Sequence, residues 1–310
     1  MDNILSIEDI YVNYAENPVL RDVTLSIKKG HILGVVGESG SGKSTVIKTV
    51  LGILGDNGWV KKGKIMFDNR NIIDLSTEEL RKIRGKDISL ISQDPSQAFH
   101  PVRKIGVQVN ELAKSHDADS HIVTSKMIEL LKLFKMDNPD RILNSYSYEL
   151  SGGMAQRVSI AMAMLLEPKL LLADEVTSAL DVVVQREVVK ELEKIKNEFQ
   201  SSIFFVSHNM GIISYLSDEI AVMYGGLVME YGSRDDVVYN PVHEYTKKLY
   251  EAIPKMNTAV SKNIKAVLPD RHTEGCPYHE GCLAACSECR FILPELKEIE
   301  TGHFVRCHKA

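Results

Sequence analysis

The sequence predicts an α/β fold with a mainly parallel sheet, and three features predict it. Between residues 154 and 231, apolar β-rich runs alternate with segments of helical periodicity, the rhythm of strands joined by crossover helices. The run Ile32-Leu33-Gly34-Val35-Val36-Gly37 is apolar throughout, as a strand covered on both faces would be. It leads into a glycine- and serine-rich octet and then a helical segment, the context in which a phosphate-binding loop is expected.

The elements follow in order. Residues 5–12 and 23–27 alternate apolar with polar, with Asn17-Pro18 between them, which predicts an antiparallel strand subdomain. A helix is expected from 43 to about 54, a strand at 64–67, a short helix at 77–84 and a strand at 88–91. From 105 to about 148 the pattern turns helical, with Ile122, Met127, Leu130, Leu131 and Phe134 at helix-like spacing, and this reads as an inserted α-helical subdomain over about 104–150. The α/β rhythm resumes with helix 154–166, strand 170–173, helix 182–199, strand 203–206, helix 210–216, and strands 220–223 and 227–231. Near residue 255 it stops. A core domain over 1–254 and a small cysteine-rich extension over 255–310 are therefore expected.

Composition narrows the class. The 310 residues amount to about two domains. With 44% hydrophobic and 25% charged residues, the chain has globular composition and is not a disordered one. A net charge of −5 speaks against sequence-independent nucleic-acid binding, which needs a basic surface. No apolar run is long enough to span a bilayer, and the start, with Glu8 and Asp9, lacks a secretory signal. A cytosolic chain is expected. All five cysteines lie between Cys276 and Cys307, and an odd, clustered set in the cytosol points to a local metal site rather than disulfides.

The octet Gly37-Glu38-Ser39-Gly40-Ser41-Gly42-Lys43-Ser44 fits G-x-x-x-x-G-K-[ST]. Its glycines let successive backbone N–H groups curl around a β-phosphate, and the helix behind them favours negative charge. Lys43 can reach the β- and γ-phosphates, and the Ser44 hydroxyl can ligate Mg²⁺. Leu170-Leu171-Leu172-Ala173 ends in the consecutive acids Asp174 and Glu175. Asp174 is suited to hold the metal, and Glu175 to polarise a water for in-line attack on the γ-phosphate.

With these in place the chain resembles the ATP-binding-cassette (ABC) ATPases. Leu150-Ser151-Gly152-Gly153-Met154-Ala155-Gln156-Arg157 looks like the family signature, Ser178-Ala179-Leu180-Asp181 like its D-loop, Gln93 like the Q-loop glutamine and His208 like the switch histidine. The order and spacing agree over residues 1 to about 254. The resemblance implies an ABC-type P-loop core that binds ATP and Mg²⁺ through Tyr14, Gly37, Ser39, Gly40, Gly42, Lys43, Ser44 and Thr45. Ser44, Gln93 and Asp174 would serve the metal, and Glu175, His208 and Gln93 the hydrolysis. It also implies a head-to-tail dimer in which Ser151, Gly152, Gly153 and Gln156 cap the nucleotide of the partner, with Asp181 beside them. Val176 departs from the proline common after the catalytic glutamate, which could loosen that turn.

Three stretches are similar to the oligopeptide, dipeptide and nickel importer branch: Gln93-Asp94-Pro95 through His100-Pro101-Val102 and Ile105-Gly106; Asn240-Pro241 with His243, Tyr245-Thr246 and Ala252-Ile253-Pro254; and Cys276, Cys282, Cys289 and Cys307 in the tail. Some members of the branch hold a 4Fe–4S cluster on such cysteines. Zinc is the alternative, because Cys286-x2-Cys289 makes a close pair with His279, His303 and His308 nearby. A tail poor in large apolar residues could need such a metal to fold. The resemblance implies an energy-coupling ATPase on the cytoplasmic face of the membrane. Its partners would be two integral membrane permeases, a second ATPase subunit (a heterodimer more than a homodimer) and an extracytoplasmic solute-binding protein, with no nucleic acid. The competing reading is a soluble ABC-type ATPase acting on nucleic acid or the ribosome.

Overall fold

The computed structural model describes residues 2–178, 180–253 and 274–310. The chain divides into two compact units, Met1–Asp74 with Phe205–Ala310, and Leu75–Phe204.

The first unit opens with β1 (Asn3–Tyr14) and β2 (Asn17–Lys28), an antiparallel pair. Ala15, in the left-handed region at φ 50°, makes the turn, so Asn17 and Pro18 begin β2 instead of linking the strands. The pairing slips between Ile7 and Ile10, beside Asp9 at φ 49°. A bulge there rephases the period of two, which lets Ile7 and Ile10 both be buried at 1% exposure. β3 (Ile32–Val36) is buried at every position and feeds through loop 37–42 into α1 (Lys43–Leu51). Gly52 ends α1 early by turning left-handed at φ 63°, its N–H closing on the carbonyls of Lys48 and Thr49. β4 (Gly58–Phe67) and β5 (Arg70–Asn71) complete a sheet ordered β2-β1-β4-β5.

In the second unit, α2 (Thr77–Ile83) starts at a reciprocal capping box between Ser76 and Glu79. β6 (Ile88–Ile91) is followed by α3 (Ile105–Ser115), α4 (Ser120–Leu133), α5 (Pro139–Asn144), α6 (Gly152–Met164) and β7 (Leu170–Asp174), and β7 pairs with β6 in parallel. Val109, Val123, Met127, Leu131 and Phe134 are among the buried residues of the helical segment. Ile122, expected on that face, is 70% exposed, while Val123 is 4% exposed. Val123 stands four residues before Met127 and shares its face; Ile122, five before it, does not. α7 (Val182–Phe199) buries Val188, Val189, Leu192 and Ile195, and β8 (Ser202–Ser207) carries the chain back to the first unit.

There α8 (Met210–Leu216), β9 (Glu219–Tyr224), β10 (Leu227–Ser233), α9 (Arg234–Tyr239) and α10 (Glu244–Glu251) follow. β9 runs parallel to β3 and antiparallel to β10. The tail adds β11 (Lys297–Glu300) and β12 (His303–Val305), and β12 pairs with β10. Polar side chains hold it there. Arg306, 1% exposed, donates to the carbonyls of Val228 (3.0 Å), Pro294 (3.1 Å) and Asp22 (3.2 Å) and to Asp22 Oδ2 (2.9 Å). His303 Nε2 lies 2.9 Å from Glu230 Oε1. No helix among the described residues is long and apolar enough to cross a membrane.

Candidate functional site

The glycine-rich loop leaves β3 where there is no room for side chains. A Cβ on Gly37 would lie 2.2 Å from the Met223 carbonyl oxygen and 2.7 Å from Ser41 Oγ. Gly42 sits at φ 104° and begins α1, which has no side-chain cap and no acidic residue in its first turn. Such a helix start is suited to an anion. Ser39 and Gly40 are exposed at the rim, while Ser44 and Thr45 are half-buried. Lys43, only 4% exposed, curls back so that Nζ donates to the carbonyls of Gly37 (2.8 Å) and Glu38 (2.9 Å). The loop therefore closes around its own ammonium.

Two further features of the first unit were expected. Tyr14 ends β1 opposite Gly58, half-buried. His208 stands exposed just beyond β8, and Asn209 behind it caps α8 by accepting from the N–H groups of Gly211 (3.0 Å) and Ile212 (3.3 Å). That cap fixes the backbone carrying the histidine. Two residues went unnoticed in the sequence. Trp59, 48% exposed, faces Asn13 across the β1–β4 pair, and its being the only tryptophan was the available signal. Tyr245 of α10 accepts a hydrogen bond from the Glu38 N–H at 3.0 Å, a contact over 207 residues of chain that no local pattern announces.

The second unit carries the acids. Asp174 closes β7, and Glu175 turns left-handed at φ 46°, a conformation held by the Ser178 N–H bonding the Glu175 carbonyl at 3.0 Å. Val176 is buried at 1% exposure directly after it. The Gln93 side chain donates from Nε2 to Ser178 Oγ at 3.1 Å, so the structure brings Gln93 to the turn that follows the acids. Asp181 caps α7 by accepting from Val183 (2.9 Å) and Val184 (3.0 Å); Ala179 of the D-loop stretch and Pro254 lie outside the described residues.

Ser151 caps α6 by accepting from the Met154 N–H at 3.4 Å. Ser151 and Gly152 are exposed, and a Cβ on Gly152 would meet nothing within 4 Å, so this second helix start is open to solvent on its own unit. Gln156 differs: it is 1% exposed, with Nε2 buried and without a hydrogen-bond partner. Next to it Arg157 pairs with Glu187 and, at 3.0 Å, with Glu191, and burial pushes the Glu191 carboxyl up to about 7.

The tail does not assemble the ligand set expected of Cys276, Cys282, Cys289 and Cys307. Among the described residues no group of three or more His, Cys, Asp or Glu is placed to hold a metal ion. The closest sulfurs are those of Cys286 and Cys289, at 3.2 Å. Cys276 is buried, which pushes its thiol up to about 11. The histidines named for zinc are engaged elsewhere: His303 with Glu230, His279 Nδ1 with the Cys276 carbonyl (2.9 Å) and His308 Nε2 with the Ile292 carbonyl (2.9 Å).

Comparison with known proteins was consistent with these features. Residues 20–178 match the model of the ABC transporter family, and residues 229–289 that of the oligopeptide/dipeptide transporter C-terminal region. The oligopeptide transport ATP-binding protein OppD of Haemophilus influenzae is 35% identical over 99% of this chain and 97% of its own length. The metal-staphylopine import system ATP-binding protein CntD of Staphylococcus aureus is 40% identical over 79% of this chain and 90% of its own. Among solved structures, cbiO1 of Clostridium perfringens, part of the ABC transporter complex cbiONQ, superposes with a TM-score of 0.67 at 27% identity, covering 77% of this chain and 92% of that one. The ATP-binding cassette MJ0796, dimeric and bound to ADP and Pi, gives 0.65 at 26% identity over 74% and 98%.

Proposed function

The chain belongs to the ABC transporter ATPases, and on that footing we propose that it is the ATP-hydrolysing, energy-coupling subunit of an importer for peptides or a chelated metal. The observation that carries the proposal is Lys43, buried at the centre of a loop where Gly37 admits no side chain, at the start of a helix whose N-cap is Gly42. The names of OppD and CntD support the cargo class.

The residues then divide the work. The N–H groups of the loop and of α1 bind the β-phosphate, and Lys43, steadied by the loop carbonyls, reaches the β- and γ-phosphates. Ser44 and Asp174 fit a Mg²⁺ ion by donor chemistry: a hydroxyl at the first turn of the helix and a carboxylate at a strand end. When bound, that ion neutralises charge developing on the phosphate oxygens. Glu175 takes up proton density from the attacking water, Gln93 orients that water, and His208 contacts the γ-phosphate. Ser151, Gly152 and Gly153 cap the γ-phosphate of a second cassette in a head-to-tail dimer, with Asp181 and Gln156 behind them; the exposed, capped start of α6 supports that role. Tyr14 stacks on the adenine.

We place the subunit on the cytoplasmic face of the membrane, beside two permeases, a second ATPase and an external solute-binding protein. Residues 1–254 form the nucleotide-binding part and 255–310 the extension. For the extension, a cysteine-bound iron–sulfur or zinc centre rests on donor chemistry alone. Iron, sulfide and zinc analysis of anaerobically purified protein tests it, and a metal-free protein ends it. Glu175→Gln tests the central reading. Nucleotide binding should survive while turnover falls about 10²- to 10⁴-fold, and unchanged turnover removes Glu175 from the mechanism.

A further inference from the structure

We propose that Tyr245 is a positioning residue for the phosphate loop, its hydroxyl fixing the Gly37–Glu38 peptide on which the Lys43 ammonium rests and thereby setting nucleotide affinity. The proposal rests on the reading above that this loop holds ATP.

The geometry is that of a single peptide plane. The Glu38 N–H donates to Tyr245 Oη at 3.0 Å, and the carbonyl on the other side of the same peptide bond, that of Gly37, accepts from Lys43 Nζ at 2.8 Å. A peptide unit is planar and rigid, so a hydrogen bond that holds the N–H also fixes where the carbonyl points. The second carbonyl under the ammonium, that of Glu38 at 2.9 Å, belongs to the next unit and follows from it. The Gly37 end is confined as well, since a Cβ placed on it would lie 2.2 Å from the Met223 carbonyl oxygen.

Tyr245 is itself well held. It is fully buried, its N–H donates to His243 Nδ1 at 3.1 Å in the first turn of α10, and its ring packs 4.6 Å from that of Tyr224 and 5.2 Å from that of Tyr278. Tyr278 lies between Cys276 and Cys282, so the tail forms part of the support. Burial pushes the Tyr245 phenol far above its ordinary range, which keeps it a neutral hydroxyl. A phenylalanine would fill the same aromatic pocket; only the loop contact asks for oxygen.

The experiment is Tyr245→Phe in the full chain, read by equilibrium titration with a fluorescent ATP analogue and Mg²⁺, by steady-state ATPase kinetics and by the thermal midpoint. Loss of one buried hydrogen bond that orients the binding loop should raise Kd and KM roughly 2- to 12-fold, with kcat within about twofold. A lowered midpoint with unchanged Kd and KM overturns the proposal, because Tyr245 is then only packing. Unsubstituted protein that binds no analogue overturns it together with the nucleotide reading, whereas binding that Tyr245→Phe leaves intact overturns it alone. Amide exchange in the unsubstituted protein gives a check independent of any variant: the Glu38 amide should exchange slowly, and exchange at an open-chain rate overturns the proposal.

Discussion

Replacing Arg306 by Ala should release the tail from the rest of its unit. The guanidinium donates to three backbone carbonyls and one carboxylate, from β2, β10 and the segment before β11. The Asp22 side chain is 31% exposed and regains water on truncation. Val228 and Pro294 are buried, and each carbonyl left without a donor costs about 1–3 kcal/mol. Two such groups give about 2–6 kcal/mol, and water entering the vacated space holds the loss in the lower half of that range, about 3 kcal/mol. Because β12 pairs only briefly with β10, at Glu230–Val305 and Tyr231–Phe304, the loss should appear first as local opening. The assay is amide hydrogen exchange of residues 303–306, with exchange through local opening accelerating about 10²-fold for a 3 kcal/mol loss. Arg306→Lys keeps the charge but cannot satisfy acceptors in several directions, and should fall between the two. Exchange in Arg306→Ala within threefold of the parent would refute the accounting and leave the strand pairing as the true anchor.

Other expectations follow from single contacts. Gly37→Ala drives a methyl to 2.2 Å from the Met223 carbonyl, so β3 and β9 must part; nucleotide affinity should fall at least about tenfold in an equilibrium titration. Burial raises Glu191 from 4.5 to about 7. Between those values the unfolded chain has released a proton that the folded chain retains, so stability declines as pH rises through that window, by at most about 3 kcal/mol. Urea titrations at pH 5 and pH 7.5 measure the decline, and Glu191→Gln should flatten it. His243 is buried and pushed down to about 4, which gives the opposite slope: stability is lost as pH falls from its ordinary range through that value, because the unfolded histidine protonates first. His243→Asn should weaken this acid limb.

What the sequence made legible was local. The loop 37–44 and the acids 174 and 175 each depend on neighbours within a few residues, and both stand at element ends as their residue types require. Three kinds of feature were not legible. A bulge moves Ile10 back to the core by a slip in pairing that alternation cannot encode. A one-residue choice between Ile122 and Val123 depends on which face meets α3 and α6 rather than on hydropathy. Arg306 finds Asp22 across 284 residues, and β12 is three residues long, too short to announce a strand by pattern. A tail with few large apolar residues therefore looked as though it needed a metal, when a buried guanidinium and the His303–Glu230 pair supply much of the attachment.

This bears on what removing a metal would do. If a cysteine-bound centre were what folds the tail, chelation or oxidative loss of the cluster should melt everything after residue 274, β12 included. The contacts divide the tail otherwise. Of the expected ligands, Cys276, Cys282 and Cys289, with Cys286, belong to the stretch before residue 290, whose regular structure is limited to short helical turns; Cys307 alone follows Arg306. The strand β12 and Arg306 are tied to β10 and β2 by bonds in which no sulfur takes part. Glu230, fully buried, accepts from the N–H groups of Val242 (2.9 Å) and His243 (3.0 Å) while holding His303, so the same carboxylate fastens the tail and the start of α10. Treatment with a strong chelator and an oxidant should therefore speed amide exchange over residues 274–292 and leave residues 303–306 protected. Simultaneous loss of protection in both segments would show that the sulfur chemistry governs the whole tail and that Arg306 follows rather than leads.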